Sequence, residues 1–405
     1  MERGYPVFKV TKKAEASLKN GHPWVYGEEV VKREGGYKNG DIVDVRGEKG
    51  NYLGSGYVND NSKILVRVIS QNANDRFDES FYARQVKYAV DYRMTVMGED
   101  FSNCRLVFGE ADRLPGLTVD RFGSVLVAQS LCLGTDMRKD TIFPLLVDYL
   151  REKGASIEAL FERNDVAIRE LEGMEQYKAF YRRDGLRDDL DGHTEIIENG
   201  IKYDVDYVNG QKTGFFLDQK YNRLAVRRIA KGKRVLDCFT HTGAFALNAA
   251  MGGAERVTAV DISASAIELA GANAERNGVD MDFITADVFD LLTELNEKKS
   301  KEYDLIILDP PAFTKSGATA KNAYRGYKEI NMKAMRLLPR GGYLATCSCS
   351  HFMYDDMFRG MLREAAHDAA VTLRQIEARQ QAPDHPILPT VRETDYLKFY
   401  LFQVV

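Results

Sequence analysis

The sequence predicts an α/β protein. Its C-terminal half is a Rossmann-like, mostly parallel seven-stranded sheet with helices on both faces, preceded by a small β-barrel and a central α+β segment. Three observations carry this. After Asp189, strand-like and helix-like patterns alternate, as a parallel sheet with crossover helices requires. Before Asn74, short runs alternate apolar and polar residues between Gly, Asn and Asp clusters, the mark of a small β-barrel. The chain of 405 residues is also too long for one core. The expected domains are 1–74, 75–188 and 189–405.

In the first of these, "GDIVDVRGEKGNYLGSGYVNDNSKILVRVIS" supplies the alternating strands. Lys and Arg outnumber Asp and Glu there by twelve to nine, and "KVTKKAEASLKNGHPWVYGEEV" interleaves basic residues with Trp24 and Tyr26. That mixture suits RNA, through phosphate pairing and base stacking, and equally suits a solvated face with one packed tryptophan. Next, "FYARQVKYAVDYRMTVM" has apolar residues at helical spacing. "CRLVFGEADRLPGLTVDRFGSVLVAQS" reads as strand, Leu-Pro-Gly turn and strand, and a helix at "DTIFPLLVDYLREKG" and a strand at "ALFERND" follow. This middle segment holds no catalytic cluster, so spacing, substrate contact or homodimer formation are its expected uses. "TEIIENGIKYDVDY" is a hairpin turning at Asn199-Gly200. Five strands alternating with helices run from "RVLDCF" to "GGYLATCS", and "VTLRQIEARQ" and "YLKFYLFQVV" form an edge hairpin.

Composition narrows the function. With 44% apolar and 29% charged residues and a formal net charge of -4, the chain has no global attraction for phosphate, so a nucleic-acid surface must be local. The five cysteines are odd in number and irregularly spaced, which argues against a disulfide framework and for a reducing, cytoplasmic setting. Cys347-Ser348-Cys349 has no second pair of ligands, so no metal site is expected. No apolar run approaches the ~20 residues of a membrane span.

Ligands of open α/β sheets bind beyond the carboxyl ends of the strands. Asp237, Asp261, Asp287 and Asp309 stand at the ends of four successive strands, and Thr242-Gly243 forms the first turn. A nicotinamide dinucleotide would need G-x-G-x-x-G at that turn to cradle pyrophosphate, whereas "FTHTGAF" has one glycine. S-adenosylmethionine has no phosphate and carries two positive charges, so a carboxylate-lined turn suits it. Asp261 is placed for the ribose hydroxyls and Asp287 for the adenine amino group. Gly243 lets backbone approach the ligand without a Cβ.

Asp309-Pro310-Pro311-Ala312-Phe313 would direct carbonyls into the site, with Phe313 available to stack on a flipped base. Alone, this motif suggests methylation of a guanine or adenine nitrogen. "TCSCS" favours different chemistry: a pyrimidine carbon 5 becomes nucleophilic once a thiolate adds to carbon 6. Such a cysteine needs a ligand-facing place and a depressed pKa. Cys349 lies past the strand end, whereas Cys238 and Cys347 read as buried. Asp309 and His351 are both candidates for the proton-accepting base.

Together, "GHPWVYGEEV", "GDIVDV", "GEADRLPGLTVDRFG", "FERND", "ENGIKYDVDYVNGQKTGFFLDQKYNR", "LDCFTHTGAF", "VDIS", "ILDPPAFTKS" and "SCS" resemble the PUA-domain class I ribosomal-RNA methyltransferases. Within that family the cytosine-C5 enzymes of large-subunit rRNA are the nearest type. The resemblance covers nearly the whole chain. It implies an N-terminal PUA barrel, a class I methyltransferase domain, S-adenosyl-L-methionine as cofactor, and large-subunit rRNA or an assembly intermediate as partner. It implies Cys349 as nucleophile, with Asp309 beside it. It also implies a cofactor site of Gln219, Arg223, Asp237, Phe239, Thr242, Gly243, Asp261, Ile262, Asp287 and Asp309, while Lys212 and Phe215 could touch either ligand. A related domain methylates a guanine ring nitrogen, so the fold alone does not choose the base. From another class, a non-catalytic ribosome-assembly factor would retain the fold without the cofactor.

Overall fold

A computed structural model describes residues 3–314 and 319–405. Lys315 and Ser316 of the "ILDPPAFTKS" stretch lie outside them. The chain divides into two compact units.

The first unit holds the described residues through Ile196, with Asp204–Leu217 and Pro383–Thr394. Its amino-terminal part is a six-stranded sheet of β1 (Val7–Val10), β2 (Trp24–Tyr26), β3 (Val30–Glu34), β4 (Ile42–Gly47), β5 (Tyr52–Val58) and β6 (Ile64–Ser70), ordered β2-β6-β5-β4-β1-β3. Phe8, Val25, Val43, Val45, Val58 and Val66 fill its core. The sequence reading missed helix α1 (Lys12–Lys19), which starts where the Thr11 hydroxyl accepts from the Ala14 amide. Trp24 is already engaged: its indole donates to Glu110 at 3.0 Å, and the Arg67 guanidinium lies over its ring. That matches the packed-tryptophan alternative better than a free stacking platform.

The same unit carries α2 (Glu79–Met97) and a five-stranded sheet of β7 (Asn103–Phe108), β8 (Leu117–Phe122), β9 (Val125–Ser130), β10 (Ala159–Asn164) and β11 (Tyr177–Phe180), with α3 (Leu133–Asp136), α4 (Lys139–Glu152) and α5 (Ile168–Leu171). The predicted strand–turn–strand is in fact three strands, because Gly123, at φ +63°, reverses the chain once more. Within the "GQKTGFFLDQ" stretch, the Thr213 hydroxyl donates to buried Asp120, which also takes two bonds from Arg105. Phe215 is buried, and Lys212 sits at positive φ. Hairpin strands β12 (His193–Glu198) and β13 (Ile201–Asp206) meet at Asn199-Gly200, both with positive φ as a type I′ turn requires.

The second unit comprises Ile197–Tyr203, Asp218–Ala382 and Asp395–Val405. After α6 (Lys220–Ile229), strand β14 (Arg234–Cys238), α7 (Ala244–Met251), β15 (Arg256–Asp261), α8 (Ala264–Asn277), β16 (Asp282–Thr285), α9 (Val288–Glu297), β17 (Leu305–Leu308), α10 (Ala320–Leu337), β18 (Tyr343–Ser348) and α11 (Asp355–Asp368) alternate, before β19 (Leu373–Arg379) and β20 (Lys398–Val404). The order is β16-β15-β14-β17-β18-β20-β19, with β20 antiparallel to both neighbours. The order reverses between β14 and β17, which places the ligand crevice at their carboxyl ends. Strands such as Leu305–Leu308 are apolar throughout because helices cover both faces.

Candidate active site

Asp237 lies inside β14 and is fully buried. One carboxylate oxygen accepts from the Thr240 hydroxyl at 2.6 Å and the Ala246 amide at 2.9 Å. The other is buried with no partner. Burial, with Asp309 and Asp261 nearby, pushes this carboxyl up to about 7.

The turn that follows has positive φ at alternate residues: Phe239 at 66°, His241 at 50° and Gly243 at 80°. Glycine would adopt these angles without strain, whereas Phe and His are held there at about 1–3 kcal/mol each. Asp261 supplies part of the hold, since its carboxylate accepts from the His241 amide at 2.9 Å and the Ser263 amide at 3.0 Å. Gly243 is demanded by more than its φ: a Cβ there would lie 3.1 Å from the Cβ of Ala270. The missing Cβ thus also makes room for α8. Gly243→Ala is expected to cost about 1–2 kcal/mol, measured as a lower urea midpoint at unchanged slope. Thr242 is buried, and its carbonyl accepts from Asn273.

Farther along the sheet edge, Ile262 is 68% exposed just after Asp261. Asp287 is exposed and caps α9 by accepting from the Phe289 amide at 2.7 Å, so capping explains part of its presence. Arg223 is buried in α6 and donates to Glu198 at 2.8 Å.

The chemistry-bearing residues converge around Asp309. The Gln219 amide donates to Asp309 at 3.0 Å and is itself oriented by Asn222, whose amide donates to the Gln219 oxygen at 2.7 Å. Asp309 is pushed up to about 7 by burial and then by Asp218. Sequence reading missed Asp218. It accepts from the Tyr396 hydroxyl at 2.6 Å, while its second oxygen is buried and unpartnered. Phe313 packs on Tyr327, with ring centroids 4.6 Å apart, and on Phe289. The Tyr327 hydroxyl pairs with Ser350 at 2.9 Å.

Of the five cysteines, only Cys349 is not fully buried. Its thiol donates to the Pro310 carbonyl at 3.9 Å, so the first proline of the Asp-Pro-Pro turn does aim its carbonyl at the thiol. Cys347 is sealed in β18 with its thiol toward Asp309. The expected depression of the Cys349 pKa is corrected: burial, then Asp309 and Asp218, push it up to about 12, and Lys398 opposes them only in part. His351 is exposed and packs by its ring near Tyr396.

The arrangement gathers carboxylates with orphaned buried acceptors at Asp218 and Asp237. A ligand bearing positive charge fits it. Residues 175–403 match the model of the S-adenosylmethionine-dependent methyltransferases, and residues 8–71 match a PUA-like domain. The chain belongs to the S-adenosylmethionine-dependent methyltransferase family. This methyltransferase is 37% identical to the Klebsiella pneumoniae (strain 342) ribosomal RNA large subunit methyltransferase I over 99% of both chains. It is 38% identical to the Escherichia coli O157:H7 protein of that name over 98% of both. A solved Streptococcus mutans methyltransferase shares the fold at a TM-score of 0.81 and 22% identity, covering 98% of this chain and 100% of the other. A methyltransferase solved with S-adenosylhomocysteine gives 0.82 at the same identity and coverage.

The two raised carboxyls fix a sign for pH. Each binds its proton more tightly in the folded protein than in the unfolded chain, so the stability this confers is lost as pH rises from about 4 through 7. A cationic ligand beside them would favour their ionised forms. Affinity for S-adenosylmethionine is therefore expected to strengthen from pH 6 to 8, by up to about tenfold per unit for each proton released. Calorimetry in two buffers of different ionisation enthalpy should count that release; pH-independent binding without proton release would contradict it.

Proposed function

We propose that this methyltransferase forms 5-methylcytosine in large-subunit ribosomal RNA, with Cys349 as nucleophile and Asp309 as base. The observation that carries the reading is the placement of Cys349: the one cysteine not sealed in the core faces the Asp-Pro-Pro turn at the carboxyl end of the sheet. The names of the full-length relatives support the RNA class. S-adenosylmethionine supplies a methyl group on a sulfonium.

Once its proton has passed to solvent, the Cys349 thiolate would bond to carbon 6 of the cytosine, and the electron pair displaced to carbon 5 would take the methyl group as the sulfonium leaves as a neutral thioether. Asp309, near the midpoint of its titration at neutral pH, accepts the proton from carbon 5. The sulfur–carbon 6 bond then breaks and the thiolate returns. In the resting protein the thiol is protonated, because burial, and then two carboxylates, outweigh one lysine. The positive charge of a bound cofactor would offset those carboxylates, which makes thiolate formation depend on cofactor binding. Gln219, Asp237, Phe239, Thr242, Gly243, Asp261, Ile262 and Asp287 line the proposed cofactor site, with Arg223 supporting it from α6. Domain limits at 74/75 and 188/189 and a homodimer belong to the same proposal.

A second reading, methylation of a purine nitrogen, draws on the Gln219–Asp309 hydrogen bond and the Pro310 carbonyl, acceptors suited to an exocyclic amine. The raised Cys349 pKa also favours it. Nucleoside mass spectrometry of large-subunit rRNA from cells with and without the gene separates the two. Loss of 5-methylcytosine is expected; loss of a methylated purine would overturn the cytosine reading.

A further inference from the structure

Lys398 stands first in β20, opposite Ser348 in the antiparallel ladder, and is only 4% exposed. Its ammonium donates to the Ser350 carbonyl at 2.9 Å and the Tyr396 carbonyl at 2.8 Å. Among the described residues no carboxylate lies within ion-pair distance of it. A buried ammonium is costly unless charge or hydrogen bonds compensate it, and two neutral carbonyls compensate it only in part. The rest of β20 is apolar apart from Gln403, so packing alone would place a hydrophobe here.

The groups facing this ammonium are Asp395, Asp355 and the Cys349 thiol. Those facing the thiol are Asp309 after β17, Asp218 before α6, Tyr327 of α10, Cys347 of β18, and Lys398. The carboxylates oppose a thiolate; the cation set against them is Lys398. Its hydrogen bond to the carbonyl of Ser350, the residue after Cys349, also ties that loop to the strand.

We propose that Lys398 is a positioning residue for Cys349, its buried ammonium serving as the counter-charge against which the thiolate forms and to which it returns. This rests on the reading of Cys349 as the nucleophile. Burial draws Lys398 down to about 8, so the counter-charge is itself lost in mildly alkaline solution.

The test is peptide-resolved alkylation of Cys349 by iodoacetamide in the full-length protein between pH 6 and 10. Lys398→Gln keeps a donor without the charge, Lys398→Met keeps the length, and Lys398→Arg keeps the charge. Both neutral variants are expected to alkylate about tenfold more slowly at pH 7, where Lys398 is still charged in the parent, a one-unit upward shift of the thiol. Turnover should fall by a similar factor at unchanged KM for S-adenosylmethionine, and Lys398→Arg should recover most of both. An unchanged alkylation profile in a folded neutral variant overturns the proposal. If neither neutral variant folds, Lys398→Arg decides: a rate within about threefold of the parent supports it, and a tenfold loss overturns it. Loss of transfer in Cys349→Ala with unaltered alkylation in the neutral variants overturns the role of Lys398 alone. Retained transfer in Cys349→Ala overturns the nucleophile reading and the role of Lys398 with it.

Discussion

Replacing Cys349 with alanine is expected to reduce methyl transfer to rRNA at least about a thousandfold, the scale on which removal of a covalent nucleophile acts. Cofactor affinity should stay within about twofold, because the carboxylates proposed to hold its ribose and adenine, Asp261 and Asp287, stand at other strand ends than the Cys349 loop. Stability should change little, since the thiol makes one weak hydrogen bond, to Pro310. Transfer of a labelled methyl group, alongside calorimetry with S-adenosylmethionine, reads both quantities. A variant that binds and still transfers would contradict the covalent route.

The second large effect is expected at Asp261. Its carboxylate holds the His241 and Ser263 amides, and so the turn in which Phe239 and His241 are kept at positive φ. Charge-assisted bonds of this kind are worth about 1.5–3 kcal/mol each. Asp261→Ala removes both, together with the proposed ribose contact, and the strained turn is then free to relax. The cofactor Kd should rise about a hundredfold, roughly 2.7 kcal/mol. The protein should still fold, because the strands on either side are buried and apolar. Asp287→Ala serves as the contrast: it removes a helix cap and should cost about 1 kcal/mol of stability. An Asp261→Ala protein that binds S-adenosylhomocysteine as the parent does would show that the turn keeps its shape without the carboxylate.

Much of this site was legible in the sequence because strand periodicity places residues. Each of Asp237, Asp261, Asp287 and Asp309 falls at or beside the carboxyl end of an apolar run, and the sheet aligns those ends. Cys349 was separable from Cys347 by the alternation of a strand and the length of its run. Other features leave no trace in residue type. Phe and His at positive φ are foreign to their usual preferences, so the shape of the turn at 239–243 could not be read. Asp218 looks like any acidic residue before a helix, and only its unpartnered buried oxygen marks it out. Lys398 did leave a signal, a lone charge heading the apolar strand "KFYLFQV". The ionisation of Cys349 went the other way from expectation, because the fold buries it and carboxylates converge on it from loops distant in sequence. Pattern predicts which residues reach the sheet edge; the sum of their fields requires the fold.

The covalent route requires a bond between the sulfur of Cys349 and carbon 6 of a cytosine. Large-subunit rRNA transcribed with 5-fluorocytidine in place of cytidine tests it, because fluorine at carbon 5 cannot leave as a proton and the adduct persists. With S-adenosylmethionine present, a denaturation-resistant protein–RNA species is expected, mapping by mass spectrometry to the Cys349 peptide and absent from Cys349→Ala. Full methyl transfer to ordinary rRNA with no such species would contradict the account.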